Sequence, residues 1–461
     1  MSGRLIVVSN RVPLGGPPQG GLVVALHECL EEIGGLWVGA AGDTAEAPSQ
    51  TFTEHDEASY RKLTFELSQE DYANYYLGYA NAVLWPLCHR RGDLIDLQPE
   101  YHAGYMAVNE RLAGMLAEIV EPDDRIWIHD YHFFPLAHCL RARGVKASLG
   151  FFLHIPFPTR TDLDALPNRD DFLDWIAAFD LVGLQTQADV ASCLEVYRAM
   201  GEGEMLLDGT LRHGKRRFAV QSFPIGIDAQ GFAETAVRGN GREILNLRPA
   251  EKLLIGIDRL DYSKGLPNRM RAVGQYLDER SENDPRATFL QIAPPTREGV
   301  EAYDDIRAEL ERISGQENGK HSDLDWTPIR YIHQMVPRES LAPILRAANV
   351  GLVTPMADGM NLVAKEFVAA QDAGDPGVLI LSRFAGAAEQ LSEALIVNPF
   401  DMAEMADAIR RALAMPQTER RQRHEALASS VFSENIGHWT QTYLDAFRRA
   451  APSVTPMPLS A

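Results

Sequence analysis

The chain has 461 residues, of which 45% are hydrophobic and 23% charged, a composition typical of a globular protein with two or three domains. Its 64 acidic and 44 basic residues give a formal charge of −20, which argues against nucleic-acid binding because that requires a basic surface. No apolar run approaches the roughly 18 residues that span a bilayer, and the start lacks a signal-peptide pattern, so we expect a cytoplasmic protein without membrane contact.

Near-continuous apolar runs recur along the chain and are typical of parallel strands that are buried on both faces. The runs lie at 4–10, 125–131, 148–158, 180–186, 252–261, 288–295, 328–334, 350–355 and 377–386. Because helix-patterned segments separate them, the sequence predicts an α/β protein with parallel sheets.

The runs form two series, which the Gly-, Asn- and Pro-containing stretch 223–252 separates. We therefore predict one Rossmann-like domain over 1–228 and a second over 229–440. A closing amphipathic helix over 441–450 and a disordered, Pro- and Ser-rich tail over 451–461 would follow.

Polar side chains follow the carboxyl ends of several predicted strands, where open α/β sheets bind their ligands. They are Asn10, Arg11, His129, Asp130, His154, Arg259, Asp261, Lys264 and Arg297. Two sheets with polar strand ends predict one cleft that is lined by both domains.

The stretch GIDRLDYSKGLP places Arg259 at a strand end and Lys264 five residues later. A guanidinium and an ammonium at such a turn can hold a diphosphate. The alternative is a solvated loop in which Arg259 pairs with Asp258 or Asp261, and the spacing alone leaves both interpretations open.

The stretch PMADGMNLVAKEF joins a predicted strand to a predicted helix that begins near Asn361. The free N–H groups and the dipole of a helix start favour an anion, and Glu366 could accept hydrogen bonds from ribose hydroxyls. Alternatively, Asp358 or Asn361 caps the helix and Glu366 balances its dipole. Lys365 is interpreted as an ordinary helix residue.

Three further features leave a functional and a structural interpretation open. Gly20 and Gly21 could let the backbone approach a phosphate, or could belong to a simple loop. A histidine at a strand end could orient a sugar hydroxyl or be structural. Tyr76 and Trp85 could stack on sugar rings or lie in the core.

Metal and nucleophile motifs are weak in this sequence. The DxD tripeptides Asp162–Asp164 and Asp323–Asp325 do not end apolar runs, so we interpret both as surface or capping residues. The four cysteines are scattered and predict reduced structural thiols. No His/Cys cluster has metal-ligand spacing, and the G-x-S-x-G and Walker motifs are absent.

Taken together, ten motifs resemble the trehalose-6-phosphate synthase family, glycosyltransferase family 20, from about residue 4 to about residue 445. They are VVSNRVP, QGGLVVAL, NAVLWP, IWIHDYH, FFLHIPFP, FPIGID, RLDYSKGLP, QIAPPTR, GLVTPMADGMNLVAKEFVAAQ and IVNPFD. The resemblance implies the GT-B fold, with two Rossmann-like parallel-sheet domains facing across a deep cleft. It implies a retaining enzyme that makes α,α-trehalose 6-phosphate from UDP-glucose and glucose 6-phosphate, without cofactor or metal, in trehalose biosynthesis and osmoprotection.

The resemblance also implies a role for each matching residue. For the donor, it implies that Arg259 and Lys264 contact the diphosphate and that Glu366 contacts the ribose. Contacts to the donor sugar or phosphate are implied for Gly21, His154, Asp358, Met360, Asn361, Leu362 and Val363. The uracil would lie at the backbone of Met335 and Val336. For the acceptor, it implies Arg11, Tyr76, Trp85, Asp130 and Arg297, with Arg11 and Arg297 on the 6-phosphate. The implied catalytic set is His154, Asp130, Arg259 and Lys264.

No motif supplies a carboxylate nucleophile beneath the anomeric carbon, so we favour transfer on the face that the diphosphate leaves, with a phosphate oxygen taking the acceptor proton. The alternatives are a glucosyltransferase with another acceptor, such as a glucosylglycerol-phosphate synthase, and a catalytically silent regulatory homologue. A nicotinamide dehydrogenase would need a glycine fingerprint that this sequence lacks. The base of the donor (UDP, ADP or GDP), regulation and homo-oligomerisation stay open.

Overall fold

The computed structural model describes residues 3–15, 21–56, 59–200, 203–281, 284–296 and 301–450. The chain divides into two compact units, Met1–Pro224 with Trp439–Ala461, and Ile225–His438. The division falls at 224/225, whereas the sequence placed it at 228/229. The tail over 451–461, predicted to be disordered, lies outside the described residues.

The first unit is built on a ten-stranded sheet. Its strands are β1 (Leu5–Arg11), β2 (Leu36–Ala45), β3 (Thr53–His55), β4 (Arg61–Ser68), β5 (Arg125–His129), β6 (Ser148–Phe152), β7 (Leu181–Leu184), β8 (Gly203–Met205), β9 (Leu211–His213) and β10 (Arg216–Ser222). They are ordered β3-β4-β2-β1-β5-β6-β7-β10-β9-β8. The strands from β4 to β10 in that order pair in parallel. Strands β3, β8 and β9 lie at the edges of the sheet and pair antiparallel with their neighbours.

The helices of this unit connect the parallel strands. They are α1 (Gly21–Ile33), α2 (Gln69–Asp71), α3 (Trp85–Cys88), α4 (Pro99–Ile119), α5 (Leu136–Ala142), α6 (Arg160–Leu163), α7 (Arg169–Ile176) and α8 (Gln187–Ala199). A π-helical segment, Tyr72–Leu84, continues directly into α3. Strands β1, β5 and β6 are neighbours and parallel, so their carboxyl ends lie side by side.

The second unit has a six-stranded, fully parallel sheet in the order β13-β12-β11-β14-β15-β16. Its strands are β11 (Lys252–Ile257), β12 (Ala287–Ile292), β13 (Ile329–Ile332), β14 (Val350–Val353), β15 (Val378–Ser382) and β16 (Leu395–Val397). Its helices are α9 (Ala229–Ala236), α10 (Gly241–Ile244), α11 (Leu266–Glu279), α12 (Glu301–His321), α13 (Arg338–Ala347), α14 (Leu362–Ala370), α15 (Met402–Ala414) and α16 (Gln417–Ser433).

The last helix, α17 (Ile436–Arg449), begins in the second unit, and its residues from Trp439 onward belong to the first. Tyr443 packs against the sheet of the first unit and donates its hydroxyl proton to the carbonyl oxygen of Phe151, 3.1 Å away. A Cβ atom on Gly150 or Gly183 would lie only 2.5 or 2.7 Å from Tyr443. These two glycines therefore let the helix approach the sheet closely.

The prediction of an α/β protein with two parallel-sheet units is confirmed, and each of the nine predicted apolar runs overlaps a strand. The sequence missed β2, β3, β4, β8, β9, β10 and β16. Among the described residues, no helix is both long and apolar enough to cross a membrane.

Candidate active site

In the first unit, an aromatic stack lies beside the end of β1. The guanidinium carbon of Arg11 is 5.8 Å from the centre of the Tyr76 ring, close enough for a cation–π contact. The ring of His132 stacks on Tyr76 with an interplanar angle of 8°. Tyr76 lies in the π-helical segment, a helix type that is frequent at functional sites. The motif IWIHDYH contains His132, but no sequence pattern indicates that His132 stacks on Tyr76.

Trp85 follows the same π-helical segment and is only 3% exposed. Its ring lies 4.1 Å from the ring centre of His89 and 5.6 Å from that of Tyr131. The structure therefore agrees with the interpretation of Trp85 as a core side chain, which leaves little of the indole surface for stacking on a sugar.

Asp130 and His154 follow the neighbouring strands β5 and β6. The backbone of Asp130 has φ 75°, a left-handed conformation that costs a non-glycine residue of the order of 1–3 kcal/mol and is commonest at functional sites. Its amide N–H donates to the carbonyl oxygen of Phe152, and its carboxylate accepts from the amide of His154 at 3.3 Å. Burial lowers the pKa of His154 to about 3, so its imidazole is neutral at physiological pH.

In the second unit, a network of polar side chains connects the end of β11 to the start of α14. The ammonium of Lys264 lies 2.5 Å from a carboxylate oxygen of Asp358. The side-chain amide of Asn361 donates to Asp358 at 3.0 Å and to Asp258 at 3.3 Å. Lys264 is only 9% exposed, so a cation is held beside the carboxylates with little access to water.

Asp258 pairs with Arg269, whose guanidinium lies 2.7 Å away and is itself buried. Burial raises the pKa of Asp258, and the charge of Arg269 opposes that shift. Asp258 is therefore paired with Arg269 rather than with Arg259, and the alternative pair of Arg259 with Asp261 stays a prediction. Arg259 follows β11 and is exposed.

Helix α14 begins at Leu362, after Asn361 in a left-handed conformation with φ 76°. The side chain of Asn361 bonds to two aspartates and makes no capping hydrogen bond to the helix. The interpretation of Asn361 as a helix cap is therefore wrong. Within the described residues no side chain caps this helix start, so its N–H groups can bind an anion.

Two ionisable residues follow on the same helix. Burial raises the pKa of Glu366 to about 7, with the charge of Arg338 opposing the shift. Lys365 is 1% exposed, and its ammonium donates to the carbonyl oxygen of Ile225 and to Gln390, both at 2.7 Å. The interpretation of Lys365 as an ordinary helix residue is therefore wrong. Burial also lowers its pKa to about 8.

The remaining predicted site residues are placed as follows. Gly21 is the first residue of α1, and Arg297 lies outside the described residues. Met335 and Val336 lie between β13 and α13, where Met335 is 74% exposed. Met360 is buried, whereas Leu362 and Val363 are half-buried in the first turn of α14.

The two DxD tripeptides have structural partners. Asp162 forms a capping box with Thr159 at the start of α6. Asp323 and Asp325 both pair with Arg286. One group of three residues, Asp278, Glu317 and His321, brings one potential metal ligand from each within 4.8 Å of the others, but Asp278 is also the ion-pair partner of Lys320. All four cysteines are buried, free thiols.

Comparison with known proteins gives a consistent result. The sequence profile of glycosyltransferase family 20 matches residues 16–449. The trehalose-6-phosphate synthase of Sodalis glossinidius is 42% identical over 451 residues, which cover 97% of this chain and 96% of the relative.

Solved structures agree over nearly the whole length. An E. coli structure with UDP-2-fluoro glucose bound has a TM-score of 0.93 and 41% identity, and the match covers 97% of this chain and 99% of that one. A UDP-forming α,α-trehalose-phosphate synthase from Burkholderia xenovorans, in complex with glucose 6-phosphate, has a TM-score of 0.90 and 42% identity, with 97% and 100% covered.

Proposed function

Because the chain belongs to glycosyltransferase family 20, we propose that it transfers glucose from UDP-glucose to glucose 6-phosphate, forming α,α-trehalose 6-phosphate and UDP. The observation that carries the proposal is the network of Lys264, Asp358 and Asn361 at the uncapped start of α14. A buried cation, a carboxylate and free helix N–H groups suit a sugar that is linked to a diphosphate.

The donor is assigned to the strand ends of the second unit. Lys264 and Arg259 hold the diphosphate, and the N–H groups of Leu362 and Val363 add the charge of the helix start. Asp358 accepts a hydrogen bond from a glucose hydroxyl, which its place beside Lys264 and Asn361 supports. Further donor contacts are assigned to Gly21, His154, Met335, Val336, Met360 and Asn361.

Glu366 is assigned to the ribose hydroxyls. Its raised pKa means that, without a donor bound, the carboxyl is partly protonated near neutral pH. Two hydroxyl donors would favour the ionised form, because hydrogen bonds to a carboxylate lower its pKa. Donor binding should therefore release a fraction of a proton from this residue.

The acceptor is assigned to Arg11, Tyr76, Asp130 and Arg297, whereas the buried Trp85 is assigned to the core rather than to stacking on the sugar. The exposed Arg11 beside the Tyr76 ring supports a phosphate contact at the end of β1. Asp130, held in a strained backbone next to His154, is assigned to a hydroxyl of the acceptor sugar.

For the reaction itself, we assign transfer on the face that the diphosphate leaves. The C1–O bond to the diphosphate breaks, the acceptor hydroxyl oxygen bonds to C1, and its proton passes to the departing phosphate oxygen. Lys264, Arg259 and the start of α14 stabilise the charge that develops on UDP.

These cations and N–H groups fill the role that a metal ion has in other nucleotide-sugar enzymes. We therefore propose that no metal is required, and treatment with EDTA should leave the rate unchanged, whereas a loss that Mg²⁺ restores would contradict this.

The function is tested by measuring UDP release from UDP-glucose with glucose 6-phosphate and with glycerol 3-phosphate as acceptors. We expect rapid release only with glucose 6-phosphate, together with a non-reducing α,α-linked product in the NMR spectrum. Faster release with glycerol 3-phosphate would overturn the acceptor, and release with neither would support a catalytically silent homologue.

A further inference from the structure

A second histidine, His129, lies next to His154. His129 ends β5 and is paired in register with Phe152, the last residue of β6. His154 follows two residues later, so the two imidazoles come to the same face of the sheet. His129 Nδ1 lies 3.1 Å from His154 Nε2, which is a hydrogen-bond distance.

His129 is buried among aromatic side chains. Its side chain is fully buried, and its ring lies 4.5 Å from the ring centre of Trp127 and 6.4 Å from that of Trp439. Its second nitrogen, Nε2, is buried without a hydrogen-bond partner among the described residues. Burial lowers the pKa of both histidines, so both are neutral and each carries one ring proton.

Two arrangements of these two protons are compatible with the distance. If His154 Nε2 donates, then His129 must carry its own proton on Nε2, where a buried N–H has no acceptor. If His129 Nδ1 donates, then its Nε2 is unprotonated and the proton of His154 is on Nδ1. An unsatisfied buried donor costs about 1–3 kcal/mol, and orphaned N–H groups are rarer in proteins than unsatisfied acceptors. The second arrangement is therefore favoured.

We propose that His129 is a positioning residue that fixes the Nδ1–H tautomer of His154, so that His154 acts as a hydrogen-bond donor to an oxygen of a bound sugar. The identity of that oxygen, a hydroxyl of the donor glucose, rests on the proposed function. The tautomer itself does not, because it follows from His129 in the empty protein.

The tautomer is measured first, in the full-length protein without substrate. Long-range ¹H–¹⁵N spectra of ¹⁵N-histidine-labelled protein distinguish protonated from unprotonated ring nitrogens, and H129N and H154N assign the signals. We expect the proton on Nδ1 in both His129 and His154. A proton on Nε2 of His154 would overturn the proposal, whether or not the enzyme transfers glucose.

The consequence for binding is measured with variants of His129. H129N keeps an N–H donor near the position of Nδ1, so the His154 tautomer and the KM for UDP-glucose should stay within about threefold of wild type. H129F keeps an aromatic ring but removes the donor. In H129F, His154 should no longer be held in the Nδ1–H tautomer. The KM for UDP-glucose should rise about tenfold, which corresponds to the free energy of one neutral hydrogen bond.

A purely structural role of His129 would lower the stability of both variants and leave the tautomer of His154 unchanged. H213F, which alters another buried histidine of the first unit, is the matched control and should change neither KM nor tautomer. If H129F kept the wild-type tautomer and KM, the proposal would be wrong. If the tautomer were as expected but no glucose were transferred, only the proposed function would fail.

Discussion

At the scale of single residues, Lys264 and Lys320 show how burial changes the effect that removing the cation of an ion pair should have. Both bond to an aspartate, but the Lys264 side chain is 11% exposed, whereas the Lys320 side chain is 56% exposed. Removing a cation that stabilises a leaving group should lower kcat about 10²-fold, so K264A is expected to do so. K320A should leave kcat unchanged, because an exposed pair contributes little. Steady-state kinetics of both variants test this, and a K264A enzyme with the kcat of wild type would contradict the assignment.

Glu366 makes the stability of the protein depend on pH. Its pKa is about 7 when folded, against an ordinary value of 4.5, so the folded chain binds the extra proton between these values. The contribution of this residue to stability is therefore present below pH 4.5 and is lost as pH rises through 7. E366Q should be more stable than wild type at pH 8, by at most about 3 kcal/mol, and equally stable at pH 4.

Urea unfolding of both proteins at the two pH values measures this difference, and E425Q, which makes the same change at an exposed glutamate of α16, is the comparison. If E366Q were equally stabilised at pH 4 and pH 8, a packing effect would explain the change. The same variant should bind UDP-glucose more weakly, since an amide replaces the carboxylate assigned to ribose.

The positions of single residues could be predicted where they depend on strand ends, whereas environments that distant partners create could not. Arg11 ends β1, Asp130 and His154 follow the adjacent parallel strands β5 and β6, and the sequence predicted these positions. Lys365 was misinterpreted because its environment is created by Ile225 and Gln390, which are far away in the sequence. A helical pattern does not show which cation will be enclosed.

At the scale of elements, the start of α14 depends on a backbone conformation that few residues adopt. Alanine in the left-handed region costs about 1–2 kcal/mol, whereas glycine adopts it freely. N361A and N361G both lose the amide bonds to Asp258 and Asp358, so their difference isolates the backbone. We expect N361A to be less stable than N361G by about 1 kcal/mol in urea unfolding. Equal stabilities would mean that the left-handed turn is not required.

Three of the strands that the sequence missed each lack a feature of a continuous apolar run. Strand β4 begins with Arg61 and Lys62, which look like surface residues, yet Lys62 is 8% exposed and donates to the carbonyl oxygen of Pro13. Strand β10 alternates between buried and exposed side chains, so it lacks the continuous apolar run of a central strand. Strand β2 contains Gly39, where a Cβ would lie 2.4 Å from the carbonyl oxygen of Ser9.

At the scale of the whole molecule, the order of the sequence does not follow the division into units. The first unit consists of the beginning and the end of the chain, because α17 supplies Trp439 and Tyr443 to it. The apolar pattern predicted this helix but did not show which sheet it covers. That choice depends on Gly150 and Gly183, whose missing side chains make room for Tyr443.

The dependence of the first unit on the end of the chain can be measured at Tyr443. Its side chain is fully buried and stacks on Trp127 with ring centres 4.5 Å apart. Y443A should destabilise the first unit by about 3–5 kcal/mol, because it removes an aromatic ring and leaves a cavity between helix and sheet. Y443F removes only the hydrogen bond to Phe151 and should cost about 0.5–1.5 kcal/mol. Urea unfolding followed by tryptophan fluorescence compares the two variants. Similar losses of stability in both would mean that the hydrogen bond, not the packing of the ring, holds this helix on the sheet.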